Sequence, residues 1–295
     1  MSNKLIGTGV AIVTPFHSDG EVDYLSLSGL LNNLIKNGVD FIVGLGTTSE
    51  AVTLTSEERK SVMQHVISEV NNMVPVVMGM GGNNTKAVVE EIKSTDFKGI
   101  SGILSVAPYY NKPNQRGIYE HFKAIAEVSP VPIVIYNVPS RTSSNISAET
   151  TLKLAKNFSN IVAVKEASGD LGQVMDIIKN KPSGFEVLSG DDALTFPMIA
   201  LGAEGVISVV ANAFPSDFSQ MVNLARNSKD VEARDIHYAL LEIIDLLFVD
   251  GNPAGIKAAL EILGVMGNNL RLPMVPVLHD VYLKLAHSID LFNKK

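Results

Sequence analysis

Two side chains capable of chemistry stand where wholly apolar segments end. Lys165 closes the run "IVAVK" that begins at residue 161, and Tyr136 closes "VPIVIY" that begins at 131. An ammonium group at the end of a buried strand loses its hydration, which disfavours the charged form and lowers its pKa. The neutral amine that results is a nucleophile toward carbonyl carbon. A second reading keeps Lys165 charged and merely structural, paired with a carboxylate such as Glu166 beside it, because ion pairs also perturb pKa values. The phenol of Tyr136 either shuttles protons near a reacting carbon or is an amphipathic core group whose hydroxyl finds a partner. Thr47 and Thr48 in "GTTSE" offer hydroxyls to a carboxylate or to the tyrosine, or else cap a turn. Arg141 in "YNVPSRT" carries a planar fork suited to a carboxylate, against the alternative of a solvated arginine.

Other chemistries lack their residues. The chain has no cysteine, so disulfides, thiolate metal sites and thiol nucleophiles are excluded together. Its six histidines form no ligand-spaced pair, and a catalytic metal is not expected. "GMGGNNT" (79–85) lacks the Lys-Ser/Thr ending of a phosphate loop and reads as a turn into a helix capped near Asn84 or Thr85. Asp191 and Asp192 in "SGDD" would repel a phosphate, and both read as helix caps. What remains is imine chemistry: the amine condenses with a ketone, and the protonated imine withdraws electrons from the adjacent carbon.

Such groups need a scaffold that delivers several strand ends to one place. Eight short apolar runs recur, starting near residues 9, 39, 74, 101, 131, 161, 185 and 204. The mean spacing is about 28 residues, the length of one strand plus one helix with short loops. Between the runs lie helical patterns with good starts: Thr55 with Glu58 three residues on forms a capping box, and Ser147 opens another helix. Strands apolar on both faces belong in a parallel sheet covered by helices. Eight units in succession favour an α/β fold of the (β/α)8 barrel class, whose sites lie at the C-terminal strand ends. Residues 1–225 are therefore assigned to the barrel and 226–295 to a helical region packed on it, with Pro253 near one helix start.

Composition agrees with an enzyme acting on small molecules. The 295 residues are 46% hydrophobic and 19% charged, with a formal net charge of −7. No basic block is present to neutralise phosphates, so neither nucleic acid nor an anionic membrane surface is an expected partner. The start "MSNKLIGTGVAIVTPF" lacks a basic stretch followed by a signal-length apolar core, and no apolar stretch reaches about 18 residues. A cytoplasmic location is expected.

The segments "GTTSEAVTL", "APYYNKP", "YNVPSRT", "VAVKEASGD" and "GVISVVAN" resemble, in order, the signatures of the dihydrodipicolinate synthase family within the pyruvate-dependent lyases. The resemblance spans about residues 5–225, and the helical tail fits it. It implies that Lys165 forms a Schiff base with pyruvate, without a separate cofactor. The enamine then attacks L-aspartate 4-semialdehyde to give 4-hydroxy-tetrahydrodipicolinate, on the path to diaminopimelate and lysine. It further implies a proton relay of Tyr136 and Thr47 completed by Tyr110, which in this family reaches a neighbouring subunit's site in a homodimer or homotetramer. Thr48 is implied to bind the pyruvate carboxylate and Arg141 the semialdehyde carboxylate, with Gly190 and Ile207 lining the pyruvate pocket through backbone groups. Two departures stand out. Ser49 replaces the glycine of the usual GTTGE, which puts the local turn in question. "TLTSEERK" and "GGNNTKAVV" lack the histidine and glutamate of lysine-inhibited members, so weak or absent feedback by lysine is expected. Sialic acid lyases and 2-keto-3-deoxy sugar acid aldolases share the lysine and tyrosine. Arg141 after "NVPS" favours a small acidic aldehyde over a sugar.

Overall fold

A computed structural model of the chain describes residues 5–294. Its strands are β1 (Gly7–Ala11), β2 (Phe41–Gly44), β3 (Val76–Gly79), β4 (Gly102–Val106), β5 (Ile133–Asn137), β6 (Ile161–Glu166), β7 (Glu186–Ser189) and β8 (Gly205–Ser208). Each pairs in parallel with the next, and β8 pairs with β1, so the sheet closes into a barrel. All eight apolar runs are strands. The intervening helices are α1 (Tyr24–Lys36), α2 (Ser56–Val70), α3 (Thr85–Ser94), α4 (Gln115–Ala126), α5 (Pro139–Thr142), α6 (Ala148–Asn157), α7 (Leu171–Asn180), α8 (Thr195–Ala200) and α9 (Pro215–Arg226). Three further helices follow: α10 (Asp230–Phe248), α11 (Ala254–Ile262) and α12 (His279–Asn293). Among the described residues, no helix is long and apolar enough to cross a membrane.

The helix starts follow from local chemistry. Thr55 and Glu58 close a reciprocal capping box on α2, Asn84 accepts from the Ala87 amide at the head of α3, and Ser147 accepts from the Thr150 amide at the head of α6. Each satisfies an amide that the first helical turn leaves without a partner.

Side-chain alternation along the strands divides the interior in two. Phe41, Val43, Val77, Leu104, Val134, Ala163, Leu188 and Ile207 point inward and fill the barrel, while their neighbours, such as Val10, Ile42, Ile103, Ile135 and Val187, point outward under the helices. Gly9 lies where a Cβ would come within 2.2 Å of the Phe41 ring, so its missing side chain is what admits that ring to the interior.

One irregularity matters for the site. Ile133 pairs with Ile161, but Val134 pairs with Ala163, leaving Val162 as an extra residue in β6. A bulge of this kind shifts every later partner by one and switches which face each side chain takes. Beyond it Tyr136 lies directly opposite Lys165.

Candidate active site

Lys165 has the same phase as Ala163 and points into the mouth of the barrel, whereas Glu166 has the phase of Val164 and points outward. Parity therefore separates the two alternatives for the lysine. Glu166 is buried on the far side, where it accepts hydrogen bonds from Asn137 (2.5 Å), Gln173 (3.0 Å) and Ser168 (3.1 Å). Burial raises its pKa against those bonds. It is a structural partner of the β5 and α7 ends and not the counter-ion of Lys165.

The Lys165 side chain is 5% exposed, and its Nζ lies 4.3 Å from the centroid of the Tyr136 ring. Burial brings its pKa down to about 8; the buried Asp192 carboxylate works against that fall, and the Arg141 guanidinium adds to it. Desolvation thus wins over the favourable charge. The Tyr136 phenol is driven the other way, up to about 12, by its own burial, opposed by Arg141 and by a hydrogen bond with Thr47. At neutral pH the pair is an amine that is uncharged about a tenth of the time, beside a protonated phenol.

Asp192 caps not the turn it begins but the head of the turn Val210–Asn212. Its Oδ2 accepts from the amides of Val209 (2.9 Å) and Val210 (2.7 Å) beyond β8, and burial raises its pKa to about 6. Asp191 does cap, accepting from the Ala193 amide at 3.0 Å at the head of the turn Asp192–Leu194.

Thr47 and Thr48 lie on a single turn, Thr47–Ser49, after β2. Leu45 and Glu50 on either side of it have positive φ (57° and 52°), conformations that cost non-glycine residues on the order of 1–3 kcal/mol each and need surrounding support. Ser49 provides part of it. Its φ is not positive, so the turn has no need of a glycine there, and its buried hydroxyl donates to the Ile12 carbonyl at 2.6 Å while its own carbonyl accepts from Thr14 at 2.7 Å.

The remainder of that support comes from beyond α10. The fully buried Lys257 ammonium sits 2.5 Å from the Glu50 carboxylate, 4.1 Å from the Phe16 ring centroid and 2.8 Å from the Asn269 carbonyl. Arg271 covers the other contacts of the clamp: its amide donates to Glu50 at 3.1 Å, and its guanidinium donates to Gly20, Thr53 and Glu58. Asn252, just before α11, donates from Nδ2 to the Thr48 hydroxyl at 3.0 Å.

These groups border a cavity of about 800 Å³ at the C-terminal strand ends, walled by Thr47, Thr48, Tyr136, Arg141, Lys165 and Gly190 among others. At Gly190 a Cβ would come within 3.0 Å of the Lys165 Cε and 2.7 Å of the Ala167 Cβ, so any larger residue would crowd the amine. Arg141 is exposed on α5 at the rim. Ile207 is buried in the barrel interior, and Val209 makes the cavity wall after β8. Tyr110 stands apart: it is 88% exposed with φ of +72°, and Tyr109 takes the place on the cavity wall. Sequence reasoning did not anticipate that Ile244, Asp245, Phe248, Val249 and Asn252 of the C-terminal helices also line the cavity. A helical pattern reports an apolar face but not what it covers. Among the described residues, no group of three or more His, Asp or Glu is arranged to hold a metal ion.

The model of the dihydrodipicolinate synthetase family matches residues 4–291. A 4-hydroxy-tetrahydrodipicolinate synthase from Parabacteroides distasonis is 54% identical over 292 residues, which cover 99% of this chain and 98% of that protein. The crystal structure of dihydrodipicolinate synthase from Aquifex aeolicus superposes with a TM-score of 0.94 at 41% identity, covering 98% of both chains. A structure described as the first monomeric dihydrodipicolinate synthase variant superposes with a TM-score of 0.95 at 36% identity, covering 98% of this chain and 97% of that one.

Proposed function

The chain belongs to the dihydrodipicolinate synthetase family, and from that premise we infer that it is a lyase condensing pyruvate with L-aspartate 4-semialdehyde to give 4-hydroxy-tetrahydrodipicolinate, through an imine on Lys165. The observation that carries the reading is the Lys165 amine itself, buried at the cavity floor beside Tyr136 with its pKa at about 8. The uncharged amine adds to the keto carbon of pyruvate, and loss of water leaves a protonated imine. That imine acidifies the methyl group, whose proton departs to give an enamine. The enamine carbon forms a bond to the aldehyde carbon of the second substrate, whose oxygen takes up a proton to become the hydroxyl while the imine re-forms, and the substrate's own amino group then adds to the imine carbon and displaces the Lys165 amine as the ring closes.

The other groups divide the remaining tasks. Tyr136, protonated at neutral pH, and Thr47, hydrogen-bonded to it, relay protons between the carbinolamine and solvent. Thr48 binds the pyruvate carboxylate, Gly190 keeps the space beside the amine open, and Ile207 contributes backbone groups. Arg141 at the rim takes the semialdehyde carboxylate by a two-pronged contact. Tyr110 completes the relay in a neighbouring subunit's site, which requires a homodimer or homotetramer; its exposure at 88% supports that reading. No cofactor beyond the imine is needed. The setting is cytoplasmic, with weak or absent feedback by lysine.

Borohydride reduction in the presence of pyruvate should give a stable adduct, and peptide mass analysis should assign it to Lys165. Lys165→Arg should keep its fold and lose turnover by at least about a thousandfold, because a guanidinium cannot shed its proton to attack. An unlabelled Lys165, or an arginine variant with an unchanged rate, would refute the assignment.

A further inference from the structure

We propose that Asn252, carried by the C-terminal helical region, is a positioning residue that occupies a lone pair of the Thr48 hydroxyl and so leaves its hydrogen to be donated into the cavity. The inference rests on the reading above in which Thr48 binds the pyruvate carboxylate. A threonine hydroxyl has one hydrogen and two lone pairs, and its direction is set by its partners. Asn252 Nδ2 donates to Thr48 Oγ1 at 3.0 Å from 204 residues away in the chain. With a lone pair so occupied, the hydroxyl hydrogen is free to turn toward a carboxylate, an acceptor that has no use for a second acceptor.

Three observations support an orienting role over simple packing. Both partners are buried, Thr48 at 2% and Asn252 at 5% exposed, so the hydroxyl is reached only from the cavity. Both border the cavity. Among the described residues, Asn252 Oδ1 is buried and without a partner, and the side chain's one hydrogen bond goes to Thr48. The opposite amide orientation would let Oδ1 accept from the hydroxyl and turn the only hydrogen away from the cavity. The clamp of Glu50 by Lys257 and Arg271 fixes the turn's position and leaves Asn252 to fix the hydroxyl's direction.

The test is a set of paired substitutions read by pyruvate KM and kcat. Asn252→Ala should raise pyruvate KM about tenfold, the effect of weakening one hydrogen bond to a charged group, with a much smaller change in kcat. The same penalty should appear in a Thr48→Ser background, where a hydroxyl remains, and vanish in Thr48→Val, where there is none to orient. Asn252→Asp keeps the shape of the side chain and serves where alanine impairs folding. Its carboxylate accepts from the hydroxyl, so its KM penalty should be about tenfold smaller in Thr48→Val than in the parent. An unchanged pyruvate KM in Asn252→Ala, or an equal penalty in the valine and threonine backgrounds, would overturn the proposal. Thr48→Val alone leaving pyruvate KM unchanged would instead strike the carboxylate assignment of Thr48, and the orienting role with it.

Discussion

At the scale of single residues, the Lys165 amine is governed by two opposed effects whose balance can be moved. Burial lowers its pKa to about 8, and Asp192 resists the fall. The rising limb of kcat/KM for pyruvate, which reports the free enzyme, should therefore have its midpoint near pH 8, with activity increasing as the proton leaves. Asp192→Asn removes the charge that favours the ammonium, so the midpoint should move to lower pH. A midpoint that stays fixed or rises would show that Asp192 does not act electrostatically on the amine. The roles of these residues were legible from sequence to different depths. Lys165 and Tyr136 could be found because strand alternation makes a polar residue at the end of an apolar run conspicuous. Ser49 could be flagged as unusual but not explained, since the carbonyl it binds, that of Ile12, belongs to another strand end. Asn252 gave no signal, because nothing local distinguishes an asparagine that ends a helix from one that reaches a hydroxyl two hundred residues away.

At the scale of elements, eight apolar runs separated by capped helices were enough to specify a closed parallel barrel, because few other arrangements bury both faces of every strand. The bulge at Val162 was not legible: one extra valine in an apolar run leaves the composition of the strand unchanged. Yet it offsets the pairing between Ile133 and Val134 of the partner strand, so that Lys165, four residues beyond Ile161, lies opposite Tyr136, only three beyond Ile133. Deleting Val162 leaves Ile161 and Ala163 to pair in succession with Ile133 and Val134, so Lys165 should stay opposite Tyr136 on the inner face and keep its pyruvate-dependent borohydride labelling. Far-ultraviolet circular dichroism retaining the barrel's signature would show that the variant is folded. Loss of labelling at Lys165 in a folded deletion variant would show that the strand does not close up around the missing residue.

At the scale of the whole molecule, the site draws on more than one part of the protein. Tyr110 is exposed and is not among the residues lining the cavity of its own chain, as its proposed role in a neighbouring subunit's site requires. Lys165→Arg and Tyr110→Phe, each poorly active alone, should recover about one quarter of wild-type specific activity when equal amounts are allowed to exchange subunits, because half the dimers then pair unlike chains and each of these holds one intact site. No recovery despite exchange, followed by mass spectrometry of the intact assembly, would place the Tyr110 role within its own chain or remove it. The C-terminal helices make a comparable contribution within the chain: Lys257 and Arg271 grip the turn that bears both threonines. During synthesis, then, a growing polypeptide can display every barrel strand, including the nucleophile, while the threonine turn is still unsecured. Competence arrives only after the segment carrying Asn252, Lys257 and Arg271 has emerged from the ribosome and docked.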